Sequence, residues 1–279
     1  MNTEGFISTI DLFPQLDSKL IEVLRTLSDK DWQKPTLAHS WCVKDIAVHL
    51  LDGNLRTLSM LRDGYFGSSA PEINSYRELV EYLNQLNAEW VLAMKRLSPT
   101  IVIELLEQTG KQYSAYLKTL NPMSKAAFSV AWAGEQESLN WFHIAREYTE
   151  KWHHQQQIRA ALGKEHELYS GELFQPYLET SMRALPFHYR NTKEPAGTAI
   201  KFIVKGETDY EWFLCSDGDT WKLKQASDRS PTSEITMSKE ISWRIFTKAI
   251  TPDEARKQIV SKGNKQLAEK IVDMVAVMA

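Results

Sequence analysis

Only two cysteines, Cys42 and Cys215, occur in 279 residues. They are too few and too far apart for a disulfide framework, a zinc ribbon or a redox pair, and they suit a reducing cytoplasm. No stretch approaches the roughly 18–20 consecutive apolar residues of a membrane span. The opening Met1-Asn2-Thr3-Glu4-Gly5 lacks the basic start and apolar run of a secretory signal. An excess of one charge is missing too: the formal net charge is −3, which provides no basic field for nucleic acid. Lys262, Lys265 and Lys270 sit among acidic residues, as on a solvated helix face. There is no glycine-rich phosphate loop and no serine set in a strand-to-helix elbow. These absences leave a cytoplasmic protein with neither a nucleic-acid nor a membrane partner. Its 43% hydrophobic and 25% charged residues are those of a globular chain, long enough for one large domain or two ordinary ones.

What is present changes character near residue 165. Before it, apolar residues recur at helical spacing. Leu16, Leu20, Val23, Leu24 and Leu27 form one stripe, and Leu79, Leu83, Leu86, Trp90, Leu92 and Met94 form another. Ser40 is placed to cap a helix over about 42–65 that stops near Gly64 or Gly67. Asn74 and Ser75 precede a helix reaching about 97, Pro99 opens one reaching about Leu120, and a last one over about 138–162 stops at Gly163. Long amphipathic helices without strands predict a helical bundle with one additional helix. Beyond 165, Phe174–Leu185 reads as helix up to Pro186. Alternating segments follow at 198–204, 211–215, 220–224 and 233–237, with Asp217-Gly218-Asp219 as a hairpin turn. Ser238 is a candidate cap, Pro252 opens a short helical turn, and 264–278 reads as a closing helix. The expectation is therefore an α+β protein of two domains, a helical bundle over 1–165 and a smaller domain with a mostly antiparallel sheet over 166–279.

The chemistry concentrates in two segments. Glu150-x-x-x-His154 puts a carboxylate and an imidazole one turn apart on a helix, and His49 lies on an earlier helix with Asp45 at i−4 and Asp52 at i+3. Two imidazoles and a carboxylate leave an open coordination position, as a catalytic divalent-metal site requires. His143, Glu147, Glu150 and His154 share one helical stripe, so His143/Glu147 is a competing pair. His153 is turned about a hundred degrees from His154 around the axis, which argues against both binding one ion. The competing explanation is a polar helix face with satisfied histidines and ion pairs. Arg146 and Arg159 are read as structural, pairing with Glu150 or with the acidic residues of the helix over about 42–65, and Gln155, Gln156 and Gln157 as possible hydrogen-bond donors near the site.

Trp41-x-Val43-Lys44-Asp45-x-x-x-His49-Leu50, followed by Glu150-x-x-x-His154, resembles the DinB-like superfamily and, within it, the mycothiol-dependent maleylpyruvate isomerases. The resemblance covers about 8–163. It implies a four-helix bundle that binds a divalent metal, zinc before nickel or another ion, through His49, Glu150 and His154. It thereby selects Glu150/His154 over His143/Glu147. The run Trp243-x-x-Phe246-Thr247-x-x-Ile250-Thr251-Pro252-Asp253-Glu254-Ala255 is similar to the sterol-carrier-like domain attached to such isomerases. The function implied is a metal-dependent isomerase or S-transferase that activates a low-molecular-weight thiol toward a small-molecule substrate, with homodimerisation possible. The alternatives are a metal-dependent hydrolase or a non-catalytic protein binding metal or a small ligand.

Overall fold

A computed structural model describes residues 5–38, 40–67 and 70–278. The stretch Met1–Glu4, part of the reading that found no secretory signal, lies outside them. The chain divides into two compact units, one comprising 1–128 and 139–173 and the other 129–138 and 174–279.

In the first unit the helices are α1 (Phe13–Arg25), α2 (Asp29–Trp32), α3 (Val43–Thr57), α4 (Tyr76–Met94), α5 (Pro99–Leu117) and α6 (Asn140–Leu162). Helices α1, α5, α3 and α6 pack in turn around a closed ring, and α4 rests on α3 outside it. Leu20, Leu24, Val43, Ile46, Leu51, Val102, Leu106 and Ile158 fill the interior, the stripe of α1 doing what its spacing dictates. The stripe predicted for α4 is only partly buried, and its Leu92 is exposed, because α4 packs on α3 outside the ring. Hydrogen bonds also join α3 to its neighbours. The Trp90 indole donates to the Val48 carbonyl at 2.7 Å, and Asn54 donates to the Thr109 hydroxyl at 3.1 Å.

The helix ends follow local chemistry. The Ser75 and Ser98 hydroxyls accept from the backbone N–H groups of Glu78 and Ile101, and Pro99 opens α5. Ser40 does not cap α3. Its φ is 75°, and the cap is Cys42, whose backbone N–H donates to Asp45 at 3.0 Å. A carboxylate three residues into the helix can satisfy that donor, so Asp45 does the work Ser40 was expected to do. Helix α3 then runs into a π-helical turn at Leu58–Arg62 and breaks before Gly64, at φ 71°.

The division into units falls inside α7 (Gly171–Met182). The second unit continues with α8 (Leu185–His188), β1 (Ala199–Lys205), β2 (Tyr210–Ser216), β3 (Trp221–Lys224), β4 (Ser233–Ser238), α9 (Lys239–Phe246), α10 (Pro252–Arg256), β5 (Val260–Gly263) and α11 (Lys265–Ala268). The sheet order is β3-β2-β1-β4-β5, antiparallel except for the parallel pair β1 and β4. Central β1 is buried along most of its length, whereas β2 and β4 alternate buried and partly exposed residues, as one-sided strands do. Asp217 tightens the β2–β3 turn by accepting from the backbone of Asp219 and Thr220. The predicted closing helix is shorter than expected: β5 and α11 precede a 3-10 turn at Glu269–Asp273, and no helix follows. Among the described residues no helix is long and apolar enough to cross a membrane.

Gly163 ends α6 at φ 69°, with nothing within 4 Å of an added Cβ. The cost of a side chain there is conformational alone, so Gly163→Ala should destabilise the protein by about 1 kcal/mol. A urea melt checks this; an unchanged midpoint would show that the left-handed cap is dispensable.

Candidate functional site

Helix α6 is unusual in burying polar residues along most of its length. Asn140, His143, Thr149, His153, Gln155, Gln156, Gln157 and Arg159 are all buried. A polar atom removed from water needs a partner, and these residues sort by the partner they find. Gln155 donates to the Leu16 carbonyl and Gln156 to that of Glu165. Arg159 reaches Glu167 at 2.5 Å, Gln155 at 3.2 Å and the Lys19 carbonyl at 2.8 Å. These contacts tie α6 to α1 and to the turn after α6. Arg159 is structural, as expected.

Toward the middle of α6 a second group faces α3. The rings of His49 and His154 lie 4.6 Å apart, centroid to centroid, inclined at 75°. Trp41 packs against both, at 4.9 Å from His49 and 6.4 Å from His154. The Glu150 carboxylate comes within 3.6 Å of His154 Nε2, with the His154 side chain 11% and that of Glu150 27% exposed. The structure thus sets His154 against both His49, on the facing helix, and Glu150, one turn before it on α6. It also sets His154 against His153, whose ring is 4.0 Å from that of His154 and inclined at 37°. One potential ligand atom from each of Glu150, His153 and His154 lies within 4.8 Å of the others.

Hydrogen bonds orient two of these imidazoles. A carbonyl or amide oxygen only accepts, so the ring nitrogen facing it carries the proton. His154 Nδ1 donates to Gln157 Oε1 at 2.9 Å, and His153 Nδ1 donates to the Thr149 carbonyl at 2.8 Å. Each ring therefore has its lone pair on Nε2. His49 has no such anchor: its buried Nδ1 finds no hydrogen-bond partner. The carboxylates at i−4 and i+3 from it are engaged elsewhere, Asp45 in the α3 cap and Asp52 with Arg56 at 3.1 Å. Glu150 Oε1 is likewise buried without a partner.

The other pair on the stripe is used differently. Glu147 accepts from the Tyr113 hydroxyl at 2.7 Å and from Arg146 at 2.6 Å, and Arg146 donates to His143 Nδ1 at 2.9 Å. A guanidinium bonded to both makes this a poor seat for a cation. Arg146 pairs with Glu147 and not with Glu150.

Burial dominates the protonation of the cluster. It holds His49 and His154 well below the ordinary imidazole value and His153 at about 4. It raises Glu150 to about 7, against the opposing pull of Arg146. For Glu147, burial is outweighed by Arg146, His143 and the Tyr113 hydrogen bond, and its carboxyl falls below the usual range. Near neutral pH the site thus offers uncharged imidazoles beside a half-protonated carboxyl. On the surface of the helical unit, a cleft of about 750 Å3 is bordered by Gln33, Thr36, Trp41, Lys44 and Lys95. Trp41 thus forms part of the cleft and also contacts the imidazoles.

Gln157, read in the sequence as a donor near the site, instead accepts from His154 Nδ1. His153, read as turned away from His154, lies against it, and Trp41 had no role in the sequence reading beyond the motif it opens. Paired histidines and the tryptophan opening the first motif were the available signals.

The architecture defines a class: a ring of four helices with an imidazole–carboxylate cluster on two facing helices, joined in one chain to an α+β unit with a five-stranded sheet. The chain belongs to the mycothiol maleylpyruvate isomerase N-terminal domain family, which matches residues 13–159. Two crystal structures of the mycothiol-dependent maleylpyruvate isomerase, one of a histidine-to-alanine mutant, superpose with a TM-score of 0.52 at 10% identity. In each case 91% of either chain is covered. At that identity the likeness concerns the fold. Sterol carrier protein domain 2 of Helicoverpa armigera aligns over 34% of this chain and 83% of its own, at 20% identity and a TM-score of 0.28. No curated protein matches the sequence.

The raised Glu150 carboxyl has a thermodynamic signature. Its folded value of about 7 exceeds the ordinary 4.5, so its contribution to stability is present below about 4.5 and lost as pH rises through 7. In chelator-treated protein, Glu150→Gln should gain on the order of 2 kcal/mol relative to wild type between pH 5 and pH 8. Urea melts at the two pH values measure this. A pH-independent difference would refute it.

Proposed function

We propose that the protein is a divalent-metal-dependent enzyme that activates a low-molecular-weight thiol toward a small unsaturated acid, as an isomerase or S-transferase. The observation that supports this reading is the contact of His154 with both His49 and Glu150, with a ring nitrogen of His49 and an oxygen of Glu150 buried and unpartnered. Buried polar atoms left unpaired are costly and rare, and a cation would satisfy both. Two imidazoles and one carboxylate suit zinc, with nickel and cobalt close behind. The family supports the reading, and the enzyme of similar fold is by name mycothiol-dependent.

His49, Glu150 and His154 would hold the ion. When bound there, a divalent ion lowers the pKa of a coordinated thiol or water toward neutrality. The chain's own residues prepare the site: Gln157 fixes the tautomer of His154, Thr149 that of His153, and Trp41 packs over His49 and His154. Burial keeps the imidazoles unprotonated, so they need not shed protons before binding. A thiolate adding to a conjugated double bond forms a carbon–sulfur bond, and the displaced electron pair moves onto the conjugated carbonyl oxygen. The former double bond then rotates, and expulsion of the same thiolate restores it in the other geometry. If the adduct is instead protonated and released, the outcome is S-transfer. We further propose that the bundle, 1–165, carries the ion and that 166–279 forms a second domain. The protein would act in a reducing cytoplasm, which also suits its two free cysteines, with a homodimer as its candidate assembly.

Elemental analysis of the wild type should find one divalent ion per chain, lost in His49→Ala and His154→Ala. The loaded wild type should isomerise or conjugate a conjugated acid only with thiol present, as followed by ultraviolet absorbance. A wild type that neither retains nor takes up zinc, nickel or cobalt would overturn the proposal, as would turnover unaffected by stripping the ion. Gln157→Leu frees His154 Nδ1 without removing a ligand, and should weaken metal binding roughly 10- to 100-fold in a chelator competition.

A further inference from the structure

Consecutive helical residues point in directions about a hundred degrees apart, and on that ground His153 and His154 should not reach one ion. The structure shows the opposite: the two rings are 4.0 Å apart, and a potential ligand atom of His153 lies within 4.8 Å of those of both Glu150 and His154. Flexible χ angles turn the two imidazoles toward each other although their Cα–Cβ bonds diverge. We propose that His153 is a fourth donor to the ion of this site, joining His49, Glu150 and His154. The inference rests on the metal reading above and adds a ligand that the motif Glu150-x-x-x-His154 does not contain.

Three observations carry it. First, His153 is 3% exposed, so its imidazole is held inside the helical unit and not on its surface. Second, its Nδ1 is committed to the Thr149 carbonyl at 2.8 Å, so Nε2 holds the lone pair. A backbone hydrogen bond on the far nitrogen is the usual means of aiming a ligating histidine. Third, bonds of about 2.0–2.2 Å to nitrogen and oxygen place two ligands of one ion roughly 3–4 Å apart, a spacing that small side-chain rotations reach from 4.8 Å. Neither Arg146 nor Arg159 competes, since their contacts are with His143, Glu147, Gln155, Glu167 and Lys19.

The consequence is chemical. Four protein donors are the count of a closed centre, and three that of an open one. A thiolate entering a four-donor site must either add as a further ligand or displace one of the four. His153, tethered through a single backbone carbonyl, is the donor best placed to give way.

The test is cobalt loading of wild type and His153→Gln. In the wild type, the visible ligand-field absorption should change in position or intensity when His153 is replaced, and competition with a chelator should show at least a tenfold loss of affinity. In parallel, nitrogen-15 histidine spectra of the zinc-loaded wild type should show metal-induced shifts at three imidazoles, His49, His153 and His154, which needs no variant to fold. An unaltered cobalt spectrum in a folded His153→Gln, or only two shifted imidazoles, would overturn the fourth ligand while leaving the metal site standing. A wild type that binds no ion would fail differently, removing the underlying reading and the fourth donor with it.

Discussion

Most of the first unit is organised by the need to bury α6 while satisfying its polar atoms. Isolated polar groups cost several kilocalories per mole inside a protein unless paired, and α6 carries eight such residues into the interior. Its surroundings are arranged as acceptors and donors for them: backbone carbonyls of α1 for Gln155 and Arg159, Tyr113 of α5 for Glu147, and Asp17 of α1 for Lys151 at 2.7 Å. This network sets the rotation of α6 about its axis, and that rotation decides which side chains meet His49. Glu150 Oε1 and His49 Nδ1 are among the buried atoms that this network leaves without a partner, as are His143 Nε2, Arg146 Nε and Gln156 Oε1.

The pattern also explains the uneven cost of the site. Glu147 and Glu150 lie one turn apart on the same helix, yet burial raises one carboxyl while neighbouring donors hold the other down. The guanidinium of Arg146 is spent on Glu147. Folding therefore tolerates a carboxylate at 150 without a salt bridge of its own, a local conflict of the kind proteins keep at functional positions.

Much of this was legible in residues alone. The stripe of α1, Ser75, Pro99 and Gly163 marked the bundle helices, and the hairpin at one edge of the sheet was announced by Asp217-Gly218-Asp219. His49, Glu150 and His154 were drawn together by a motif. In the structure His154 touches each of the other two, while the residues whose potential ligand atoms lie within 4.8 Å of one another are Glu150, His153 and His154. Three things were not readable, each for a physical reason. The polar stripe of α6 reads as a solvated face, because its partners on α1 and α5 are distant in sequence. The position of His153 depends on side-chain torsions, about which helical spacing says nothing. Strand β5 is four mostly exposed residues without alternation, held by pairing with β4 and not by its own pattern; the parallel register of β1 on β4 is equally a product of tertiary packing.

Helix α4 contributes no side chain to the imidazole cluster and stands outside the ring of four. Its Trp90 indole nevertheless donates to the carbonyl of Val48, the residue immediately before His49. That bond pins the main chain at the one donor whose imidazole has no anchor through Nδ1. The seat of His49 is thus fixed from behind, through the backbone, by an element whose own sequence shows no trace of the chemistry it supports. Helix α4 acts as a clamp, and the accuracy with which α3 offers His49 to α6 depends on a helix that could be mistaken for packing.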